Sequence, residues 1–147
     1  MKSTYSLSLT LMFLLTAVSC STNHKKLIGK LRSDIPPEWK LEGAELLDNN
    51  TLVEFRDLKH SKFVFIFKNS KNWITSDALK ADSHRILALD CELRKPQKAP
   101  HRILSSIYER SSNPERAWLI DLASGKFQSL DSKDVVCHDT DEKIICQ

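Results

Sequence analysis

The stretch SKFVFIFKNS, residues 61–70, limits the fold more than any other part of the chain. Side chains along a β-strand point alternately to opposite faces. Phe63, Phe65 and Phe67 therefore share one face, and Val64 and Ile66 the other. Both faces are apolar, so the segment reads as a central strand covered on both sides. The rest of the chain has to supply both covers.

The remaining strand signals are short and closely spaced. Trp39 and Leu41 alternate with Lys40 and Glu42, as expected for a first edge strand, and Thr51 to Arg56 is rich in strand formers after the turn residues Asp48, Asn49 and Asn50. HRILALDCELRK gives the cleanest alternation. Leu87, Leu89, Cys91 and Leu93 point one way, and Ala88, Asp90, Glu92 and Arg94 the other, so it reads as one half-buried antiparallel strand. HRILSSIYER follows across the KPQKAP loop. RAWLIDL, ASGK and FQSL form a hairpin in which Gly125 is free to take positive φ.

Two segments stay open. In residues 71–83, Ser76 and Asp77 are able to cap one helical turn reaching Lys80. Near the C-terminus, Asp131 or Ser132 is able to cap a short helix over residues 133–138; alternatively VVC and KIIC are two short strands around HDTDE. The expected fold is α+β: mainly an antiparallel β-sheet of about six strands, with a short C-terminal helix or hairpin tied by a disulfide.

The N-terminus speaks to location. Lys2 precedes an apolar run from Leu7 to Val18, 12 residues long and too short to span a bilayer. Small residues Ala17, Val18 and Ser19 then lead into Cys20. This is the pattern of a secretory signal, and its last residues resemble the lipobox of bacterial lipoproteins. The resemblance implies cleavage before Cys20, diacylglycerol on its sulfur and acylation of the new amine; Ala17 stands where many such motifs carry leucine. Ser21 in place of aspartate implies the outer membrane. Residues 1–19 are thus expected as signal peptide, and residues 20–35 as lipidated cysteine and flexible tether. That tether carries Lys25, Lys26, Lys30 and Arg32, with no acidic residue before Asp34. Residues 36–147, opening at Pro36-Pro37, are expected as a single β-rich domain.

Composition removes several function classes. The net charge of +3 falls to +2 when Lys2 leaves with the signal, too little to argue for a nucleic-acid partner. Both methionines, Met1 and Met12, lie in the signal, which excludes a Met-lined binding groove in the body. The chain has three glycines and no phosphate-cradling loop or Gly-x-Ser-x-Gly elbow. His60, His84 and His101 read as surface histidines at strand starts, and Asp90 and Glu92 as a solvated pair. No enzyme activity and no cofactor are expected.

With Cys20 lipidated, Cys91, Cys137 and Cys146 remain for an oxidising compartment. Cys137–Cys146 closes a tight terminal loop; Cys91–Cys146 pins the chain end to the sheet. Cys137, His138, Asp139 and Cys146 match no usual zinc spacing, and no metal is expected. DTDE, residues 139–142, lacks the glycine of a calcium loop.

From the second strand onward the order of features resembles the surface-adhesin protein E family of Gram-negative bacteria. The matching residues are ALDCELRK with Asp90-Cys91, RILSSIYERSS with Ser106 and Tyr108, ERAW with Trp118, and IICQ with Cys146. The resemblance spans roughly residues 37–147. It implies a small exported antiparallel sheet, a C-terminal element tied to it by Cys91–Cys146, and binding of another macromolecule. Cys137 has no counterpart in that pattern, and the apolar C-terminal helix of the family is replaced by polar DSKDVVCHDTDEK. The expected protein is an outer-membrane lipoprotein with a binding domain. A periplasmic inhibitor or immunity lipoprotein acting on an envelope enzyme is the alternative.

Overall fold

The structure is a computed structural model, and it describes residues 23–81, 86–107 and 113–137. Its centre is β3 (Ser61–Asn69), which lies inside a four-stranded antiparallel meander ordered β1 (Lys40–Asp48), β2 (Thr51–Leu58), β3, β4 (Trp73–Ala81). Phe63, Val64, Phe65, Ile66 and Phe67 are all fully buried, as the two-faced pattern requires. Their two faces meet different partners. Val64 and Ile66 pack with Val53, Phe55, Leu87, Leu104 and Ile120 in one core, whereas the three phenylalanines pack with Ile35, Trp39, Leu58 and Ala78 in another.

The first of those cores joins the meander to a second sheet, ordered β5 (Ile86–Ala88), β7 (His101–Ile107), β8 (Arg116–Asp121), β9 (Lys126–Leu130). Alternation along β7 and β8 explains how this sheet serves two layers. Leu104 and Ile120 face the meander; Ile103 and Leu119 face away, into a third core with Ala88, Cys91, Val135 and Cys137. A two-stranded ribbon of β6 (Cys91–Leu93) and β10 (Val135–Cys137) closes that side.

The described residues thus form ten strands in three sheets, more than the expected six, and contain only 3-10 turns rather than an α-helix. Three local causes account for the difference. Residues 76–80 continue β4 because Asp77 and Ala78 pair with Ile66 and Phe65; the backbone of a paired strand is not free to cap a helical turn. HRILALDCELRK is two strands, not one. The chain bends at Leu89–Asp90, where Asp90 bridges Ile103, so β5 pairs with β7 and β6 leaves for β10. Leu87, Leu89 and Cys91 are buried as expected, and Ala88 is buried too, against the third core. At the C-terminus Asp131 caps a single 3-10 turn, Ser132–Asp134, by accepting from the Lys133 amide at 3.0 Å. VVC then forms β10, and KIIC lies outside the described residues.

The hairpin connections match their sequences. Asp48 Oδ1 accepts from the Asn50 amide at 2.8 Å in the β1–β2 turn. Gly125 takes φ +65° in the β8–β9 turn. The β2–β3 turn is less expected: Lys59 and His60 both hold positive φ, 50° and 64°, the geometry that normally selects Asn-Gly.

Candidate functional site

The N-terminal segment, expected as a flexible tether, is docked wherever the structure describes it. A strap of residues 23–39 runs over the phenylalanine face of the meander. Leu27, Ile28, Ile35 and Trp39 supply the apolar cover, and Trp39 meets Phe63 and Phe65 edge-on at 4.8 and 5.4 Å between ring centroids. The strap also caps the open edge of β4: the Gly29 amide donates to Thr75 O and the Thr75 amide to Lys30 O, both at 2.8 Å. Gly29 sits at φ +85°, a conformation glycine adopts without strain. An apolar face this large binds cover strongly, because three buried phenylalanines contribute several kcal/mol between them, at about 25 cal/mol per Å².

Polar anchors fix the register of the strap. Lys25 Nζ donates to Ala78 O at 2.7 Å and pairs with Asp77 at 3.4 Å. Asp77 in turn accepts from the Phe127 amide of β9 at 3.0 Å, so one carboxylate touches the strap and the second sheet. The principal anchor is Glu54 on β2, fully buried on the strap face. Its Oε1 accepts from Arg32 Nε of the strap, and its Oε2 from Arg56 Nη2 at 2.6 Å. Arg56 also donates to Trp39 O at 2.9 Å, which ties the far end of the strap to the same group. A buried carboxylate is tolerable only when paired and hydrogen-bonded in this way.

Beside this cluster lies a cleft of about 370 Å³ lined by Leu31, Arg32, Ser33, Arg56, Asn72 and Trp73. Arg56 is committed to Glu54 and Trp39. Arg32, half-exposed, is engaged by Glu54 as well, and Trp73 lines the same cleft. Glu54, Arg56 and Trp73 were not singled out by sequence reasoning, and Arg32 was read only as a tether cation; a glutamate inside the apolar run LVEF was the available signal.

On the opposite side of the molecule, Cys91 and Cys137 form a disulfide across the β6–β10 ribbon, with Cα atoms 4.1 Å apart and 46 residues between them. This corrects both expected pairings, Cys91–Cys146 and Cys137–Cys146. The cause is register: antiparallel pairing sets Cys137 directly opposite Cys91. It also removes Cys137 from any metal set, and no cluster of three or more His, Cys, Asp or Glu side chains suited to a metal occurs among the described residues.

The same ribbon fixes the base of the KPQKAP loop. The Arg94 amide donates to Asp134 O and its Nε to Lys133 O, each at 2.8 Å, and Lys95 and Lys98 beyond it are exposed. A second cleft, about 260 Å³, opens here between Glu92, Pro96, His101 and Arg102.

Among the described residues, Asp48 and Asp121 have perturbed acidity, and both cap turns. Burial raises the Asp48 pKa, but the Asn50 amide, the Thr51 hydroxyl and the Lys68 charge outweigh it and leave the group below its ordinary value. The Ser124 hydroxyl and then the Ala123 amide hold Asp121 low in the same way. Asp90 and Glu92 are exposed, as expected, and the structure does not bring them together with the Glu54 cluster. Cys20, His84, Tyr108, His138, Asp139 and Cys146 lie outside the described residues. Among the described residues no helix is long and apolar enough to cross a membrane. No family model, no curated protein and no solved structure matches the chain.

Proposed function

We propose that the chain is a lipid-anchored protein of the bacterial outer membrane whose β domain binds another macromolecule and catalyses nothing. Cys20, placed after a short apolar run and small residues, is the anchor. The observation that carries the reading on the structural side is the Cys91–Cys137 disulfide, since such bonds persist in exported proteins and are rare in reducing compartments. The order of motifs that resembles the surface-adhesin protein E family supports a binding role. The KPQKAP loop is the binding element: its base is held by the disulfide-linked ribbon, and its exposed lysines suit an acidic surface on the partner.

Protease shaving of intact cells combined with capture of envelope proteins tests this. Surface exposure predicts removal by protease, and Lys95→Glu with Lys98→Glu predicts loss of the captured partner. Protection from protease together with capture of a periplasmic enzyme would favour the inhibitor alternative. Capture unchanged by the double substitution would sink the assignment of the loop.

A further inference from the structure

We infer that the end of the meander from which the chain leads back to Cys20 is a docking face for anionic phospholipid headgroups. This rests on the lipid anchor proposed above and adds a second, protein-made contact with the same membrane.

The first support is reach. Because residues 23–39 are docked, only two residues separate Cys20 from the first described residue, Asn23. Three Cα–Cα steps of about 3.8 Å limit that span to about 11 Å. An acylated Cys20 therefore holds the domain against the bilayer rather than on a long leash, and it does so at one particular end. His24 meets Phe63 in a tilted ring contact with centroids 5.3 Å apart, and Phe63 is the third residue past the Lys59-His60 turn.

Charge supplies the second support. Lys40 pairs across β2 with Asp57, and Lys80 pairs across β3 with Phe63, so both belong to the end that carries the Lys59-His60 turn. Lys26 of the first 3-10 turn joins them, whereas Lys25 is held by Ala78 O and Asp77; Lys26, Lys40, Lys59, His60 and Lys80 are all exposed. The neighbouring carboxylates are largely engaged: Glu42 pairs with Lys62 at 3.6 Å, Asp57 accepts from the His60 amide at 3.1 Å, and Asp77 is buried against Lys25. Exposed Glu38 opposes the lysines. The opposite end of the meander also carries cations, exposed Lys71 in the β3–β4 turn and Lys68 beside Asp48, so the choice of end rests on the reach from Cys20.

The third support is conformational. Lys59 and His60 occupy a left-handed two-residue turn that Asn-Gly fills with less strain. The chain keeps a lysine and a histidine there against local preference, and residues that stay in unfavourable backbone conformations concentrate at functional sites.

The test uses the mature-length chain carrying Cys20→Ser, with vesicles of phosphatidylethanolamine alone or mixed with phosphatidylglycerol. Partition into the phosphatidylglycerol vesicles is expected, weakening as salt rises. Lys26→Gln with Lys59→Gln is expected to weaken it more than tenfold, from about fivefold per lysine near a charged surface. Lys59→Asn with His60→Gly should stabilise the fold and still weaken partition about fivefold, which separates lipid contact from folding. Lys95→Gln with Lys98→Gln should leave partition unchanged. Absence of partition, equal losses in the two lysine pairs, or full partition by the Asn-Gly variant overturns the inference. Failure of the anchor itself reads out separately, as absence of acylation at Cys20 in cells.

Discussion

Arg32 of the strap donates to Glu54 of β2, a carboxylate 22 residues away and with no exposed surface. The bond joins the segment next to the proposed anchor to the middle of the meander, and Arg56 completes it from the other side. Removing Glu54 leaves Arg56, mostly buried, without its carboxylate partner. Glu54→Ala is therefore expected to cost about 3 kcal/mol. Arg32 is partly solvated and leaves Glu54 still paired with Arg56, so Arg32→Ala should cost about 1 kcal/mol. Urea titration measures both, and equal costs would contradict this division of roles. Hydrogen exchange adds a local readout: in Arg32→Ala the Gly29 and Thr75 amides, which bond across the strap edge, should exchange faster than those of β7.

Gly125 is where the β8–β9 turn rests on the meander. A Cβ there would lie 2.6 Å from Ser76 Oγ and 2.8 Å from the Lys68 stem, and φ is already +65°. Ser76 Oγ donates to Gly125 O at 2.8 Å, so the contact cannot open without losing that bond. Gly125→Ala is expected to destabilise by about 2 kcal/mol, seen as a lower urea midpoint with an unchanged slope. A midpoint equal to wild type would mean that the turn does not seat as described.

The Cys91–Cys137 bond closes a long loop and should contribute about 3–4 kcal/mol. Peptide mapping of unreduced protein is expected to return Cys91 joined to Cys137. Reductant should lower the melting temperature of wild type and leave a Cys91→Ala, Cys137→Ala variant unaffected. A Cys91–Cys146 peptide would refute the register of the β6–β10 ribbon.

Asp48 and Asp121 are both held below the ordinary aspartate value of 3.8, the first despite burial and the second chiefly by the Ser124 hydroxyl. Each folded carboxyl binds its proton less readily than the unfolded one. Their contribution is therefore complete above about pH 4 and is lost as pH falls through the folded values. Stability should decline on acidification in that window. The decline should be shallower in Asp48→Asn and Asp121→Asn, and parallel curves for wild type and both variants would contradict the assignment.

How much of this was legible in the chain depends on the range of the determining contact. The two-faced β3, the Asp48 and Gly125 turns and the inward side of Leu87, Leu89 and Cys91 follow from neighbours a few residues apart. The docked strap does not. Leu27, Ile28, Leu31 and Ile35 are spaced as one face of a helix, yet two short 3-10 turns and a lone bridge to Ile74 place them instead, and lysines between them mimic a solvated linker. Yet β3 announced that its phenylalanine face needed a cover, and the strap is that cover. The cysteine pairing was equally out of reach, since it depends on β6 leaving the second sheet at Asp90 to meet β10. Glu54 lies unremarked within the strand-forming run Thr51 to Arg56; its arginine partners identify it as the strap's anchor.

The central claim is that acylated Cys20 holds this domain to the envelope. Metabolic labelling with palmitate, followed by fractionation of wild type and Cys20→Ala, tests it most directly. The account predicts labelled wild-type protein in the membrane fraction and an unlabelled variant. Wild-type protein free of label and released by osmotic shock, or label retained in Cys20→Ala, would contradict it.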